Sequence, residues 1–251
     1  MKERIDKLLV DRGLVASREK ARALVLAGQV LANEQRIDKP GQTVDADAAL
    51  RIKGETPRYV GRGGLKMEAA LDAFGIDPAG ETWIDVGAST GGFTDCLLQR
   101  GAASVWAVDV GHNQLDYRLR TDPRVVVREG VNARELTPEA FPLRFDGAVV
   151  DVSFISLKLI LEPVVTVLRP GARIVALVKP QFEVGRGEVG KGGIVRDDAQ
   201  RERARDAVLA HAESIGLTVR GAIECPLPGA EGNREFLVWF EAPAEPRAEP
   251  S

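Results

Sequence analysis

The sequence predicts an α/β protein: a mainly parallel seven-stranded sheet with an antiparallel last strand, covered by helices and preceded by a small α+β module. Three observations carry this. From Thr82 onward, short apolar runs alternate with helical segments, the pattern of parallel strands joined by crossover helices. The last two apolar runs, 217–224 and 234–241, have no helix between them and therefore pair antiparallel. Over residues 1–53 the pattern is instead two short helices followed by short alternating strands. A chain of 251 residues accommodates one domain of ordinary size plus a small one, with no disulfide or metal staple needed.

In the leading module, residues 1–53, Ile5, Leu8 and Leu9 recur at helical spacing and Gly13 ends the helix. Ser17 caps a second helix over 18–27, which Gly28 stops. Residues 30–32 and the Thr43-Val44 region alternate as short strands, with turns at Gly41 and over 45–47. Residues 54–64, dominated by Gly, Pro and basic side chains, read as a mobile linker. A helix over 65–74 then leads into the main domain, 65–241. Strands are expected there at 83–86, 104–108, 125–127, 145–150 and 172–178, ahead of the two final runs. Helices are expected at 93–99, at 155–168 (stopped by Pro170-Gly171) and at 196–215. Residues 242–251, rich in Pro, Ala and Glu, read as a disordered tail.

Composition narrows the function classes. The formal net charge of −3 is not that of a polycation, so any nucleic-acid contact must come from local patches. Cys96 and Cys225 are far apart without CxxC spacing, which suits a reducing compartment and no disulfide or zinc framework. His112 and His211 are isolated, and no metal is expected. The first residues carry no apolar leader and no apolar run is long enough to span a bilayer, so a cytoplasmic location and no membrane partner are expected. A monomer is favoured.

The loop after the 83–86 strand reads Asp85-Val86-Gly87-Ala88-Ser89-Thr90-Gly91-Gly92. Its glycines let backbone approach a ligand at the carboxyl edge of the sheet. Such turns serve dinucleotides, phosphates and S-adenosylmethionine alike. The spacing here fits neither G-x-G-x-x-G nor a Walker loop, and Asp109 closes the next strand where an acid binds ribose hydroxyls. S-adenosylmethionine is favoured, with a nicotinamide cofactor and a purely structural turn left open. Asn132, after the third strand, is either an adenine contact or an ordinary turn residue.

Charged residues also gather at that sheet edge. Asp151 and Lys179 each end an apolar run, Glu235 opens the last one, and Lys66 lies in the helix leading into the sheet. Two lysines and two carboxylates at one edge can form a network of hydrogen-bonded ion pairs. Lys179 is then placed to take a proton from a hydroxyl, or to stabilise the alkoxide, as that oxygen attacks a methyl group.

The stretches DVGASTGGFT (Asp85 to Thr94), VDVSFIS (Val150 to Ser156), VKPQFE (Val178 to Glu183), RYVGRGGLK (Arg58 to Lys66) and NREF (Asn233 to Phe236) resemble the hemolysin-A (TlyA) family. The resemblance covers nearly the whole chain except the tail. It implies a Rossmann-like class I methyltransferase domain of the FtsJ-like type, joined to a ribosomal-protein-type RNA-binding module. It also implies 2′-O-methylation of cytidine in ribosomal RNA of one or both subunits, with S-adenosylmethionine as cofactor. A Lys-Asp-Lys-Glu tetrad is implied, mapping onto Lys66, Asp151, Lys179 and Glu235. The candidate cofactor contacts are Asp85, Gly87, Ala88, Ser89, Gly91, Gly92, Phe93, Asp109, Asn132 and Asp151.

For RNA, the candidates are Arg4, Lys7, Arg18, Lys20 and Arg22 in the first module and Arg58 and Arg62 in the linker. Arg18 and Arg22 share a helical face. Such cations contact phosphates and RNA shape rather than sequence, although Glu3, Asp6, Asp11 and Glu19 dilute the charge. The glycine-rich loop 183–193 reads as a lid beside Lys179. Three other readings are weighed: a base amino-group methyltransferase, since Asp151-Val152-Ser153-Phe154 echoes an Asp-Pro-Pro-Tyr loop; a membrane-active hemolysin, which no spanning segment supports; and a non-catalytic RNA-binding factor.

Overall fold

A computed structural model describes residues 2–15, 17–33, 35–53, 58–185, 187–190, 192–229 and 232–244. The chain divides into two units, Met1–Pro57 and Arg58–Ser251.

In the first unit, β1 (Lys2–Arg4) runs directly into α1 (Ile5–Asp11), and α2 (Arg18–Leu26) follows. Ser17 caps α2 as expected, its Oγ accepting from the Lys20 amide at 3.2 Å. Four short strands come next: β2 (Val30–Ala32), β3 (Gln35–Arg36), β4 (Thr43–Asp45) and β5 (Leu50–Ile52). β2 lies antiparallel between β3 and β5, and β1 pairs antiparallel with β4. β1, β3 and β5 escape sequence reading because two or three residues cannot establish a period of two. Ile5, Leu9, Val25 and Val30 are buried at the centre of this unit.

The second unit begins with packed chain rather than a free linker. Tyr59 is buried, and the Val60 amide donates to Asp95 Oδ2 at 2.7 Å. The helix α3 spans Gly63–Phe74, so it starts two residues before the expected position. Gly63 and Gly64 look like linker by composition, but a Cβ on Gly64 would lie 2.2 Å from the Tyr59 ring, so the glycine lets Tyr59 pack against the helix start. Of the expected linker, residues 54–57 lie outside the described residues.

The strands and helices then alternate: β6 (Thr82–Val86), α4 (Gly92–Gln99), β7 (Ser104–Asp109), α5 (Tyr117–Arg120), β8 (Val125–Glu129), β9 (Phe145–Val150), α6 (Leu161–Thr166), β10 (Leu168–Val178), α7 (Pro180–Glu183), α8 (Asp198–Ser214), β11 (Thr218–Glu224) and β12 (Phe236–Glu241). One seven-stranded sheet has the order β11-β12-β10-β9-β6-β7-β8. β8, β7, β6, β9 and β10 pair in parallel, and β12 is antiparallel to both β10 and β11. Successive residues point to opposite faces. Ile84, Ala148 and Ile174 enter one buried cluster, whereas Trp83, Val149 and Val175 enter the other.

Three boundaries differ from expectation. The helix expected over 155–168 is a 3-10 turn, Leu157–Leu159, followed by the short α6. Leu168 instead opens β10 and pairs with Phe145, and the Pro170-Gly171 pair sits in an irregularity before Arg173. The long polar helix is α8, capped at Asp197, whose Oδ1 accepts from the Gln200 amide at 2.9 Å. The expected tail does not leave the sheet at 242: the Ala242 amide donates to the Ala172 carbonyl at 2.8 Å, and Pro243 accepts from Gly171 at 3.0 Å. Residues 245–251 of that tail lie outside the described residues.

Sheet packing is tight where β9 crosses Trp83. A Cβ on Gly147 would sit 2.6 Å from the fully buried Trp83 ring. Gly147→Ala is therefore expected to cost about 1–3 kcal/mol of unfolding free energy by overpacking, measured as a lower denaturant midpoint at unchanged slope.

Candidate active site

The glycine loop joins β6 to α4 by way of Asp85. This carboxylate is fully buried, and its Oδ2 accepts from the Thr94 amide at 3.0 Å and the Thr94 hydroxyl at 2.7 Å. Gly87 (φ +88°) donates to the Val108 carbonyl at 2.8 Å, and a Cβ there would lie 2.6 Å from the Asp151 carbonyl oxygen. Ala88 donates to the same Val108 carbonyl. Ser89 holds a left-handed φ of +49° and its amide donates to Asp109 Oδ2 at 2.8 Å. Asp109 Oδ1 accepts from the Gly111 amide at 2.7 Å, so both oxygens of the carboxylate are oriented.

A cleft of about 490 Å³ opens beside this loop, lined among others by Gly87, Ser89, Asp109, Asn132, Asp151 and Phe154. Five of the candidate cofactor residues thus meet there. Asn132 also caps a 3-10 turn, accepting from the Arg134 amide and donating to Glu135. Asp85, Gly91, Gly92 and Phe93 are placed behind the lining and shape the loop. Gly91 (φ +94°) precedes α4 where a Cβ would meet Leu119 at 2.2 Å. Gly92 is pressed against the backbone of Gly61 and Gly64, and Phe93 is buried against Gly63.

Sheet register assembles the charged edge. Asp151 and Lys179 directly follow the neighbouring parallel strands β9 and β10, and the pairing of Val178 with Phe236 brings Glu235 alongside. The four residues resolve into two ion pairs. Lys66 Nζ lies 2.5 Å from Glu235 Oε2, both side chains being buried. Lys179 Nζ lies 2.6 Å from Asp151 Oδ1, in ion-pair rather than hydrogen-bond geometry, and donates its hydrogen bond to Ser153 Oγ at 2.8 Å. Burial pushes the Cys225 thiol up, opposed by its Leu227 backbone hydrogen bond and the Lys66 charge and reinforced by Glu235 and Asp151.

A second cleft of about 280 Å³ contains Lys179, Glu235 and Phe182, and it shares Ser153 and Phe154 with the first. Ser153 and Phe154 were legible only as an echo of an aromatic loop. Phe154 is 91% exposed at φ +65°, with its ring centroid 5.1 Å from that of Phe182. Gln181 and Phe182 line this cleft too, and nothing in a KPQFE run shows which residues face it. The expected lid is anchored at both ends. Glu183 accepts from Ser156 Oγ at 2.5 Å and the Leu157 amide at 2.7 Å, and Asn233 bonds Gly193 and Val195. Residues 186 and 191 of it lie outside the described residues.

Of the RNA candidates, Arg4, Arg18 and Arg22 converge on the Asp6 carboxylate. Lys7 lies 3.7 Å from both Glu3 and Asp11, and Lys20 is exposed on α2. Arg58 pairs with Glu68 and lies over the Tyr59 ring, while Arg62 donates to the Pro228 and Gly229 carbonyls. Among the described residues, no cluster of three or more potential metal ligands occurs and no helix is long and apolar enough to cross a membrane.

Residues 59–242 match the family described as FtsJ-like methyltransferase, and residues 3–50 match the S4 domain. Over 245 residues the chain is 49% identical to YqxC of Bacillus subtilis, covering 97% of this chain and 87% of that protein. It is 48% identical over 238 residues to the 16S/23S rRNA (cytidine-2′-O)-methyltransferase TlyA of Mycobacterium tuberculosis, covering 94% and 89% of the two chains. A solved, hemolysin-named protein from Streptococcus thermophilus superposes with a TM-score of 0.75 at 46% identity, covering 99% of this chain and 91% of that one.

Burial pushes the Asp85 carboxyl up to about 7, against the opposing Thr94 bonds. An acid raised in the folded state favours folding while protonated, and that contribution is lost as pH rises from about 3.9 towards the folded value. Cofactor-free protein should therefore lose stability from pH 5 to 8 more steeply than Asp85→Asn. Parallel melting curves for the two proteins would mean that Asp85 carries no such shift.

Proposed function

The chain belongs to the FtsJ-like methyltransferase family, and on that premise we propose that it transfers a methyl group from S-adenosylmethionine to a ribose 2′-hydroxyl of ribosomal RNA, at cytidine. The observation that carries the choice of ribose is Lys179, which lines the second cleft and is held by Asp151 and Ser153, with the buried Lys66–Glu235 pair beside it. An amine attacks through its lone pair and sheds a proton afterwards, whereas a hydroxyl is a weak nucleophile until its proton is drawn away, so oxygen is the nucleophile that requires such a lysine. The cytidine and the ribosomal RNA rest on the activity named for the TlyA relative. The S4 domain supports RNA as the partner, and a cytoplasmic location follows from that partner.

The loop fits an adenosyl ligand. Backbone at Gly87 is bare where a Cβ would be blocked by Asp151, and Asp109 is pre-aimed by the Ser89 and Gly111 amides to accept from ribose hydroxyls. S-adenosylmethionine supplies the methyl group on a sulfonium centre. Asp151 and Ser153 hold Lys179 Nζ at the junction of the clefts. There Lys179 as the neutral amine takes the 2′-hydroxyl proton, or as the ammonium stabilises the developing alkoxide while Asp151 accepts that proton. Glu235 lines the second cleft and Lys66 balances its charge, so the nucleotide meets a fixed polar wall. Phe154 offers an exposed ring face on which a base can stack. Most of the rate then comes from holding the hydroxyl in line with the methyl group.

The deciding experiment is methyl transfer onto separated, unmodified ribosomal subunits, with the product nucleoside identified by digestion and mass spectrometry. A 2′-O-methylnucleoside is expected, and a base-methylated one would sink the reading in favour of amine chemistry. Lys179→Ala should lower turnover by about 10²–10⁴ while cofactor affinity, read by calorimetry, stays near wild type. Removal of residues 1–53 should weaken subunit binding and spare cofactor binding; unchanged subunit affinity would remove the module's role.

A further inference from the structure

Asp6 stands among cations, and by charge counting it weakens the first unit as an anion-binding surface. Its placement says the reverse. Asp6 lies in the first turn of α1 and is 1% exposed. Its two oxygens take a bidentate pair of bonds from Arg4, Nε to Oδ1 and Nη2 to Oδ2, each at 3.0 Å. Arg18 Nη2 reaches Oδ2 at 3.0 Å, and Arg22 Nε lies 4.0 Å from the same oxygen. Arg18 and Arg22 are one turn apart on α2, so both reach the same carboxylate.

Three guanidinium groups on one carboxylate leave a local excess of two positive charges. The arginine side chains remain 48%, 55% and 61% exposed, so each keeps donors facing outward while one edge is tied to Asp6. Elsewhere among the described residues of the unit, Lys7 sits between two acids and Arg36 faces Asp38. Long side chains ordinarily lose rotamer freedom when they bind an anion; here the buried acid has already ordered them. The Asp6 carboxyl is held down at about 2, chiefly by the Arg4 hydrogen bonds, so the organising charge persists at any pH at which RNA is handled.

We propose that Asp6 is a positioning residue whose buried carboxylate sets Arg4, Arg18 and Arg22 into a preformed site for the phosphodiester backbone of RNA. The inference rests on the reading of this chain as one that acts on RNA. Guanidinium forks match phosphate oxygens in geometry, which suits recognition of backbone and shape rather than base sequence. Asp6 touches no phosphate itself; it works through the three arginines.

The test uses the full chain, unmodified ribosomal subunits as the probe, and a salt series. Dilution of charge predicts that Asp6→Asn binds subunits more tightly. The proposal predicts weaker binding, by about tenfold, with thermal melting and cofactor binding unchanged. In an Arg4→Ala/Arg18→Ala background the effect of Asp6→Asn should shrink to under about twofold, which a general structural role would not produce. Equal or tighter binding by Asp6→Asn, or additive effects in that cycle, overturns the inference. Should Asp6→Asn unfold the unit, Arg22→Ala, which leaves Arg4 and Arg18 on Asp6, must weaken binding and reduce the salt slope by about one; an unchanged slope overturns it equally. Wild-type protein that binds no subunits defeats the RNA reading and this inference together, whereas binding that every variant preserves defeats the inference alone.

Discussion

The active-site unit depends on how closely the end of β6 approaches the end of β9. Gly87 lies against the Asp151 carbonyl so tightly that a Cβ would fall 2.6 Å from its oxygen, and the Asp151 amide donates back to Val86 at 3.0 Å. This contact places the glycine loop and the Asp151 carboxylate side by side. Parallel pairing then carries Lys179 to the same edge on β10, and the antiparallel β12 returns Glu235 beside it. The geometry of this charged edge is thus a consequence of strand register, and a shift of one residue would turn each of these groups to the other face.

The charges at that edge are paired because their burial demands it. Lys66 and Glu235 are withdrawn from water, and an unpaired charge at either position would cost several kcal/mol, on the order of 3–5. Pairing cancels the cost without adding much net stability, so its value lies in orientation. Asp85 is a contrasting case. It is buried and bonded to Thr94, and among the described residues its Oδ1 has no hydrogen-bond partner. Its role is to tie β6 to α4, and its strained ionisation is the consequence of sitting inside the sheet.

The first unit uses the same physics for another end. There a buried carboxylate gathers cations that stay exposed, so the acid and the arginines act together as one positive surface. One unit holds its charges in matched pairs, and the other holds an unequal cluster with a surplus of cations. A carboxylate among arginines is therefore not a subtraction of charge when it is buried and they are not.

Much of this was legible in the linear chain. Alternation of apolar runs and helical segments determined the sheet, because a strand buried on both faces must be almost wholly apolar. The glycine loop and the acids and lysines ending those runs marked the site, since an ionised side chain deeper in such a strand is costly. What remained hidden depended on neighbours distant in sequence. Gly63 and Gly64 read as linker until Tyr59 is seen packed against them. Leu168 read as the end of a helix, yet pairing with Phe145 drew it into β10. Ser153 and Phe154 gained meaning from the two clefts they share. The sequence by itself determined the architecture and the kinds of chemistry available, because periodicity and residue type are local properties. Only the tertiary structure decided which lysine met which carboxylate, and that Asp6 faces inward, because burial and pairing are set by what the folded chain brings together.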